Sequence, residues 1–472
     1  MAGSLPLALR SLPLEATWGM KLDVRLLLPM HRAIRIESLP FCMVAGFPVN
    51  RQGGNLQAQL FETSMAGMPV YFINGDPIAR ADSVYSPDPA RDREKYAFFS
   101  LAALEMARSM EWKPDIIHAN DWHTALAVYA LRTRQAVPAP GHLSSVLTLH
   151  NLPYMGGDAT DVLEAYGLRP ADDDSLPSWA RTQALPLGLW AADAVVPVSP
   201  TYGREILSPV FGCGLDDFLR SRSDCIFGIL NGLDLVAWNP ETDDKLAANF
   251  SVNTLSRRAA NKAALQRRLG LNEESRIPIL AMIGRIDPQK GVDITLDTLR
   301  QMTEQAWQFV ILGSSDPALE NAARNLQAEY PERVRAVIGY DSPLSRLIYG
   351  GADMFLMPSR YEPCGLAQMI AMHYGCVPVV HATGGLKDTV QVGKTGFLFE
   401  TANSGSMQEG LLQALSVYAD PEQWEPYQRN GMQEDFSWPR FAAQYADIYL
   451  SLMDSRSTQN ANLRNNFRIN TK

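Results

Sequence analysis

The sequence predicts an α/β protein built from two doubly wound, Rossmann-like domains that face a cleft. Short, fully apolar runs alternate with stretches of helical period, the pattern of parallel strands covered on both faces. The alternation breaks once, in the turn-rich segment Asn231-Gly232-Leu233-Asp234 through Trp238-Asn239-Pro240, and then restarts. The chain has 472 residues. Single cores stop growing near roughly 250–300 residues, so two domains fit that length.

In the first half, strands are expected at residues 24–28, 70–73, 115–118, 145–150, 194–198 and 226–230. Pro29 ends the first and Asn74-Gly75 the second. A helix is expected over 96–110, between the second and third strands. After the break comes a polar helical stretch carrying Arg257, Arg258, Lys262, Arg267 and Arg268. Strands are then expected at 278–283, 308–312, 336–338, 354–357 and 377–380, and a last helix at about 438–453. The tail after Ser455 is rich in Asn, Ser, Thr and Arg and reads as disordered. The expected division is 1–236 for the first domain, 237–455 for the second with its final helix packing back, and 456–472 for the tail.

Composition narrows the function. The net charge of −9 argues against nucleic acid as the main partner. A phosphate-bearing ligand must therefore meet a local cluster of Lys, Arg and backbone N–H groups. Cys42, Cys213, Cys225, Cys364 and Cys376 form no CxxC pair, which fits reduced, cytoplasmic thiols. No His/Cys cluster has metal-ligand spacing, so no metal is expected. The N-terminus lacks a basic region followed by a long apolar run, and no stretch approaches the ~18–20 apolar residues that span a bilayer. The expectation is a cytoplasmic protein with no membrane partner.

Five strand ends carry the chemistry. Gly284-Arg285-Ile286-Asp287-Pro288-Gln289-Lys290-Gly291 follows an apolar strand and places two cations at its carboxyl end. Arg offers a bidentate fork and Lys a point charge, a pair suited to a diphosphate. The bland alternative is a solvated loop with incidental charges. Pro358-Ser359-Arg360-Tyr361-Glu362-Pro363-Cys364-Gly365-Leu366 follows the strand at 354–357. Glu362 could accept from sugar hydroxyls, and a helix opening at Cys364-Gly365-Leu366 would offer N–H groups to phosphate; a capping Glu is the alternative. Thr383-Gly384-Gly385-Leu386 would let backbone N–H groups approach a phosphate, a weak signal alone. In the first half, His118-Ala119-Asn120-Asp121-Trp122-His123 and His150-Asn151-Leu152-Pro153-Tyr154 put three of seven histidines at the ends of two neighbouring strands. A lone histidine is more often structural; this grouping raises the functional reading.

These motifs, in this order, resemble the bacterial glycogen synthase and plant starch synthase family of retaining glucosyltransferases, which have two Rossmann-like domains in the GT-B arrangement. The resemblance runs from Gly3-Ser4-Leu5-Pro6 to about Leu452. It implies that His150 contacts the donor glucose and that Arg285 and Lys290 hold the diphosphate. It implies that Glu362 binds glucose hydroxyls beside Cys364, Gly365 and Leu366, and that the ring of Tyr340 packs on the base. Asp121, His123, Asn151 and Asn231 match positions near the sugar, and Thr383, with Gly384 and Gly385, positions near the distal phosphate. The implied reaction is transfer of glucose from ADP-glucose to the non-reducing end of an α-1,4-glucan (glycogen or starch), with retention and without a metal or other cofactor. Charge growing on the departing diphosphate calls for cations there. Retaining hydrolases use a close carboxylate pair, and the sequence offers none. UDP-glucose as donor, a sucrose or trehalose-phosphate type of transferase, and a glucan-binding homologue without turnover remain as alternatives.

The family begins with a short strand and a Lys-x-Gly-Gly-Leu loop that touches donor and acceptor. This chain begins Met1-Ala2-Gly3-Ser4-Leu5-Pro6. Gly53-Gly54 is followed by Asn55, and Thr383-Gly384-Gly385-Leu386 belongs to the second half. The first domain is therefore expected to lack its first strand and glycine loop. The expectation is that Met1 is an internal methionine of a longer chain, ahead of a truncation that impairs activity.

Overall fold

The computed structural model describes residues 3–34, 40–81, 83–134 and 143–454. The tail expected at 456–472 lies outside the described residues. The chain divides into two compact units, Met1–Leu230 with Trp438–Lys472, and Asn231–Ser437.

The first unit holds two sheets. One has the order β1-β4-β3-β2, with β1 Leu26–Pro29, β2 Cys42–Val49, β3 Leu56–Met65 and β4 Met68–Asn74. The other is β5-β6-β7, with β5 Ile116–Asn120, β6 Ser144–Leu149 and β7 Ala194–Pro197, all parallel. The expectation of one parallel sheet needs correction here. β2, β3 and β4 form an antiparallel meander. β2 and β3 escaped notice because one face of each meets solvent, so no continuous apolar run marks them. The strand expected at 226–230 is also absent. Its Phe227 and Ile229 N–H groups donate to Val195 and Pro197 alongside β7, yet only one bridge forms, Val195 with Ile226.

Helix Trp438–Asp454 belongs to this unit. Its Phe441, Ala442 and Tyr445 join Leu5 and Leu9 of helix Ser4–Ser11, and Val146 and Val196 of the parallel sheet, in one apolar cluster. The irregular stretch after Ser11 contains a short 3₁₀ turn, Leu14–Thr17.

The second unit has one six-stranded sheet, order β10-β9-β8-β11-β12-β13. Its strands are β8 Ile279–Ile283, β9 Gln308–Gly313, β10 Val334–Ile338, β11 Met354–Met357, β12 Val377–His381 and β13 Phe397–Phe399. All pairs are parallel. Strands such as Met354–Met357 are buried along their whole length, which is why their apolar runs were legible. The order reverses between β8 and β11. That is the switch point at which open α/β sheets hold ligands beyond their carboxyl ends.

Candidate active site

The loop after β8 and the loop after β11 meet at that switch point. Asp287 opens the first turn, its Oδ1 accepting the Lys290 N–H at 3.0 Å. Its Oδ2 lies 2.5 Å from Arg285 Nη1, and Arg285 Nη2 donates to Gln289 Oε1 at 2.7 Å. Several bonds stitch the loops together. Gln289 Nε2 donates to Tyr361 O at 3.3 Å, and the Arg360 N–H donates to Gln289 O at 2.9 Å. The Arg360 guanidinium donates to Pro288 O at 2.6 Å and forms a two-pronged pair with Asp293 at 2.9 and 2.6 Å.

The central contact is between expected site residues. Lys290 Nζ lies 2.6 Å from Glu362 Oε2, which also accepts from Ser359 Oγ at 3.0 Å. The glutamate side chain is only 7% exposed and the lysine 21%. Both cations expected to be free for phosphate are thus held by protein oxygens. Each keeps further N–H donors, since Lys has three and Arg five. Glu362 does not cap a helix. The helix expected to open at Cys364 begins at Ala367 (Ala367–His373), so Cys364, Gly365 and Leu366 belong to the loop.

A cavity of about 180 Å³ lies in this corner. Arg285, Lys290, Glu362, Gly365 and Leu366 line it over an apolar floor of Met282, Ile311 and Leu356. Beside it, burial pushes the Cys364 thiol up to about 12, so Cys364 packs as a neutral group and not as a nucleophile. The Asn231 N–H faces that sulfur, and Asn231 Oδ1 is buried with no partner among the described residues. Tyr340 lines no part of the cavity; it stands 93% exposed after β10.

Thr383, Gly384 and Gly385 are all buried. The sequence reading offers their N–H groups to a phosphate, and the structure gives the glycines another task. The Gly385 N–H donates to Glu362 O at 3.0 Å. A Cβ at Gly384 would sit 1.9 Å from Glu362 O, and one at Gly385 2.0 Å from Cys364 O. The glycines let this turn press against the underside of the Glu362 loop.

In the first unit, the ends of β5 and β6 gather a second set. Asp121 has φ +52°, and its Oδ1 accepts the His150 N–H at 2.7 Å and the Asn151 N–H at 3.4 Å. Burial pushes its carboxyl up to about 7. His150 Nε2 lies 3.0 Å from Asn120 Oδ1, and burial lowers the ring to about 4. His123 is likewise lowered to about 4 by burial and packs against Tyr96 and Trp122. His123 Nε2 and Asn151 Oδ1 are buried without partners among the described residues, as hydroxyl-binding atoms awaiting a ligand would be. His118 is different. Nδ1 lies 2.6 Å from the Tyr449 hydroxyl and Nε2 2.7 Å from Thr148 Oγ1, and burial lowers the ring to about 3. It is a satisfied core residue.

Sequence reasoning missed Asp287, Gln289, Ser359, Arg360 and Asn120. Asp287-Pro288 was readable as a capping pair ahead of a turn. The others carry no local signal: Gln289 and Arg360 reach across to the neighbouring loop, Asn120 meets His150 beyond β6, and Ser359 shows its task only through its bond to Glu362.

Residues 1–221 match the family described as starch synthase catalytic domain, and residues 262–431 the family described as glycosyl transferases group 1. The chain is 38% identical over 440 residues to the glycogen synthase of Syntrophotalea carbinolica, covering 90% of this chain and 91% of that protein. It is 37% identical over 474 residues to glycogen synthase 1 of Methylococcus capsulatus, covering 95% and 92%. Its fold is similar to the catalytic domain of starch synthase IV from Arabidopsis thaliana bound to ADP and acarbose. The TM-score is 0.82 and the identity 31%, over 92% of each chain.

Proposed function

The chain belongs to the glycogen and starch synthase family of two-domain glycosyltransferases, and we propose that it transfers glucose from ADP-glucose to the non-reducing end of an α-1,4-glucan with retention. The observation that carries this reading is the cavity at the switch point, where Arg285, Lys290 and Glu362 meet. Binding of ADP and acarbose by the starch synthase neighbour supports the choice of an adenine nucleotide donor and a glucan acceptor.

In this reading, bond breaking leaves growing negative charge on the diphosphate. Arg285 and Lys290 stand ready with fixed positive charge, which stabilises the transition state more than the ground state. Their partners Asp287, Gln289 and Glu362 hold both cations in place before the donor arrives. Glu362 is anchored through Oε2, which leaves Oε1 for sugar hydroxyls. His150, neutral at pH 7 because of burial, contacts the glucose without adding positive charge beside an oxocarbenium-like ring. Asp121 positions His150 through the backbone. His123, Asn151 and Asn231 offer unpartnered atoms to hydroxyls, and Tyr340 an exposed ring to the base. Gly384 and Gly385 support the Glu362 loop from below, beside Thr383 near the distal phosphate. The reading calls for no metal or cofactor, since the two cations meet the charge that a metal would.

The proposed location is the cytoplasm, on the strength of five unpaired cysteines. No helix among the described residues is long and apolar enough to cross a membrane. The test is a donor panel with glycogen as acceptor. Nucleotide release from ADP-glucose well above that from UDP-glucose is the expected result. Preference for UDP-glucose would correct the donor. Glycogen binding without release from either would replace turnover with glucan binding.

A further inference from the structure

We infer that Gln368 is a positioning residue that aims the Gly365 and Leu366 N–H groups into the cavity, where they receive the donor's diphosphate. The inference rests on the nucleotide-sugar reading above. Gln368 is fully buried in helix Ala367–His373, directly after Ala367 of the cavity wall. Its Nε2 donates to Cys364 O at 3.2 Å, Gly365 O at 2.9 Å and Thr389 Oγ1 at 3.0 Å. Two of these partners are carbonyls, which only accept, so the nitrogen must face them.

The consequence follows from the planar trans peptide, in which C=O and N–H point opposite ways. Holding the Cys364 carbonyl toward Gln368 turns the Gly365 N–H away from it. Holding the Gly365 carbonyl does the same for the Leu366 N–H. Gly365 and Leu366 both line the cavity, and neither N–H has a partner among the described residues. Gly365 is left-handed at φ +69° and Leu366 right-handed at φ −107°, the alternation that curves successive N–H groups into an anion-binding concavity.

A chain of bonds holds the rest of the loop. Thr389 Oγ1 donates to Gly385 O at 2.6 Å, and the Gly385 N–H donates to Glu362 O at 3.0 Å. The carbonyls of residues 362, 364 and 365 are therefore all held on the side away from the cavity. Gln368 Oε1 is left buried without a partner, over Gly365, where a Cβ would lie 2.4 Å from it. An amide retained at the cost of an orphaned acceptor points to a task beyond packing.

The test is calorimetric binding of ADP and of adenosine to the full chain and to Gln368→Met, which keeps the volume and removes the donor. ADP affinity is expected to fall about tenfold or more, the scale of misaimed hydrogen bonds to a charged group, while adenosine affinity stays unchanged. Equal ADP affinity in parent and folded variant would overturn the inference and leave the nucleotide-sugar reading standing. If Gln368→Met does not fold, Thr389→Val carries the test. A loss of about threefold for ADP alone supports the positioning role, on the scale of a partial loss of one net hydrogen bond, and no loss overturns it. An unsubstituted chain that fails to bind ADP would sink the donor reading and this inference together.

Discussion

Replacing Lys290 with methionine is expected to weaken the fold as well as abolish turnover, because its partner is buried. The Glu362 side chain is 7% exposed, and without Lys290 its carboxylate keeps, among the described residues, the Ser359 hydroxyl at 3.0 Å. Removing one partner of a buried pair costs about 3–5 kcal/mol; partial exposure of Lys290 and the surviving Ser359 bond reduce this to about 2–3 kcal/mol. For a domain of this size that is a fall of about 5–10 °C in Tm. The reverse change, Glu362→Gln, leaves Lys290 able to reach water and the new amide able to accept from Ser359, at about 1 kcal/mol or less. The double variant Lys290→Met/Glu362→Gln removes the stranded charge, and should be more stable than Lys290→Met alone. Scanning calorimetry of the four proteins closes the cycle. The reasoning is refuted if Lys290→Met melts with the parent, or if the double variant is as unstable as the two single losses added.

Other outcomes follow from individual groups. His118, His123 and His150 have folded pKa values lowered to about 3, 4 and 4 by burial. An unfolded histidine near 6.5 takes up protons first, so stability is full above about pH 6.5 and declines by about 1.4 kcal/mol per histidine per pH unit below it. A urea midpoint that stays flat from pH 7 to 5 would contradict their burial. Asp121, with its carboxyl pushed up to about 7, should give kcat/KM a limb near that pH; Asp121→Asn, which tolerates φ +52° and still accepts from His150, should remove the limb and keep the fold. Tyr340→Ala should leave Tm within about 1 °C, as an exposed surface substitution does. It should weaken ADP binding about tenfold, the scale of base stacking on an aromatic ring. Unchanged ADP affinity would remove Tyr340 from the site.

Much of this was legible in the sequence, and the exceptions share a physical cause. Five of the six strands of the second unit, all but the three-residue β13, Phe397–Phe399, read correctly because parallel strands buried on both faces leave unbroken apolar runs, as Met354–Met357 does. β2 and β3 did not, because solvent on one face dilutes the run, although the alternation of Leu56, Ala58 and Leu60 was there to be found. Arg285, Lys290, Glu362, Gly365 and Leu366 stood out as candidates from their place after apolar strands and from the family resemblance, and one cavity gathers them. Their pairing was not legible, since Lys290 and Glu362 are distant in sequence and meet only because β8 and β11 are neighbours. The packing role of Gly384 and Gly385 was not legible for a related reason. A glycine needed under another loop looks, in sequence, like a glycine opened to a ligand. His118 and His150 were both expected at strand ends, and only three-dimensional partners separate the satisfied core residue His118, inside β5, from the candidate His150 beyond β6.

The most direct test of the central claim is to follow ADP-glucose and a maltooligosaccharide together by NMR in the presence of the chain. The account predicts that ADP appears in step with new α-1,4-linked glucosyl residues at the non-reducing end. A β-linked product, or ADP released as free glucose accumulates with no lengthening of the acceptor, would contradict it.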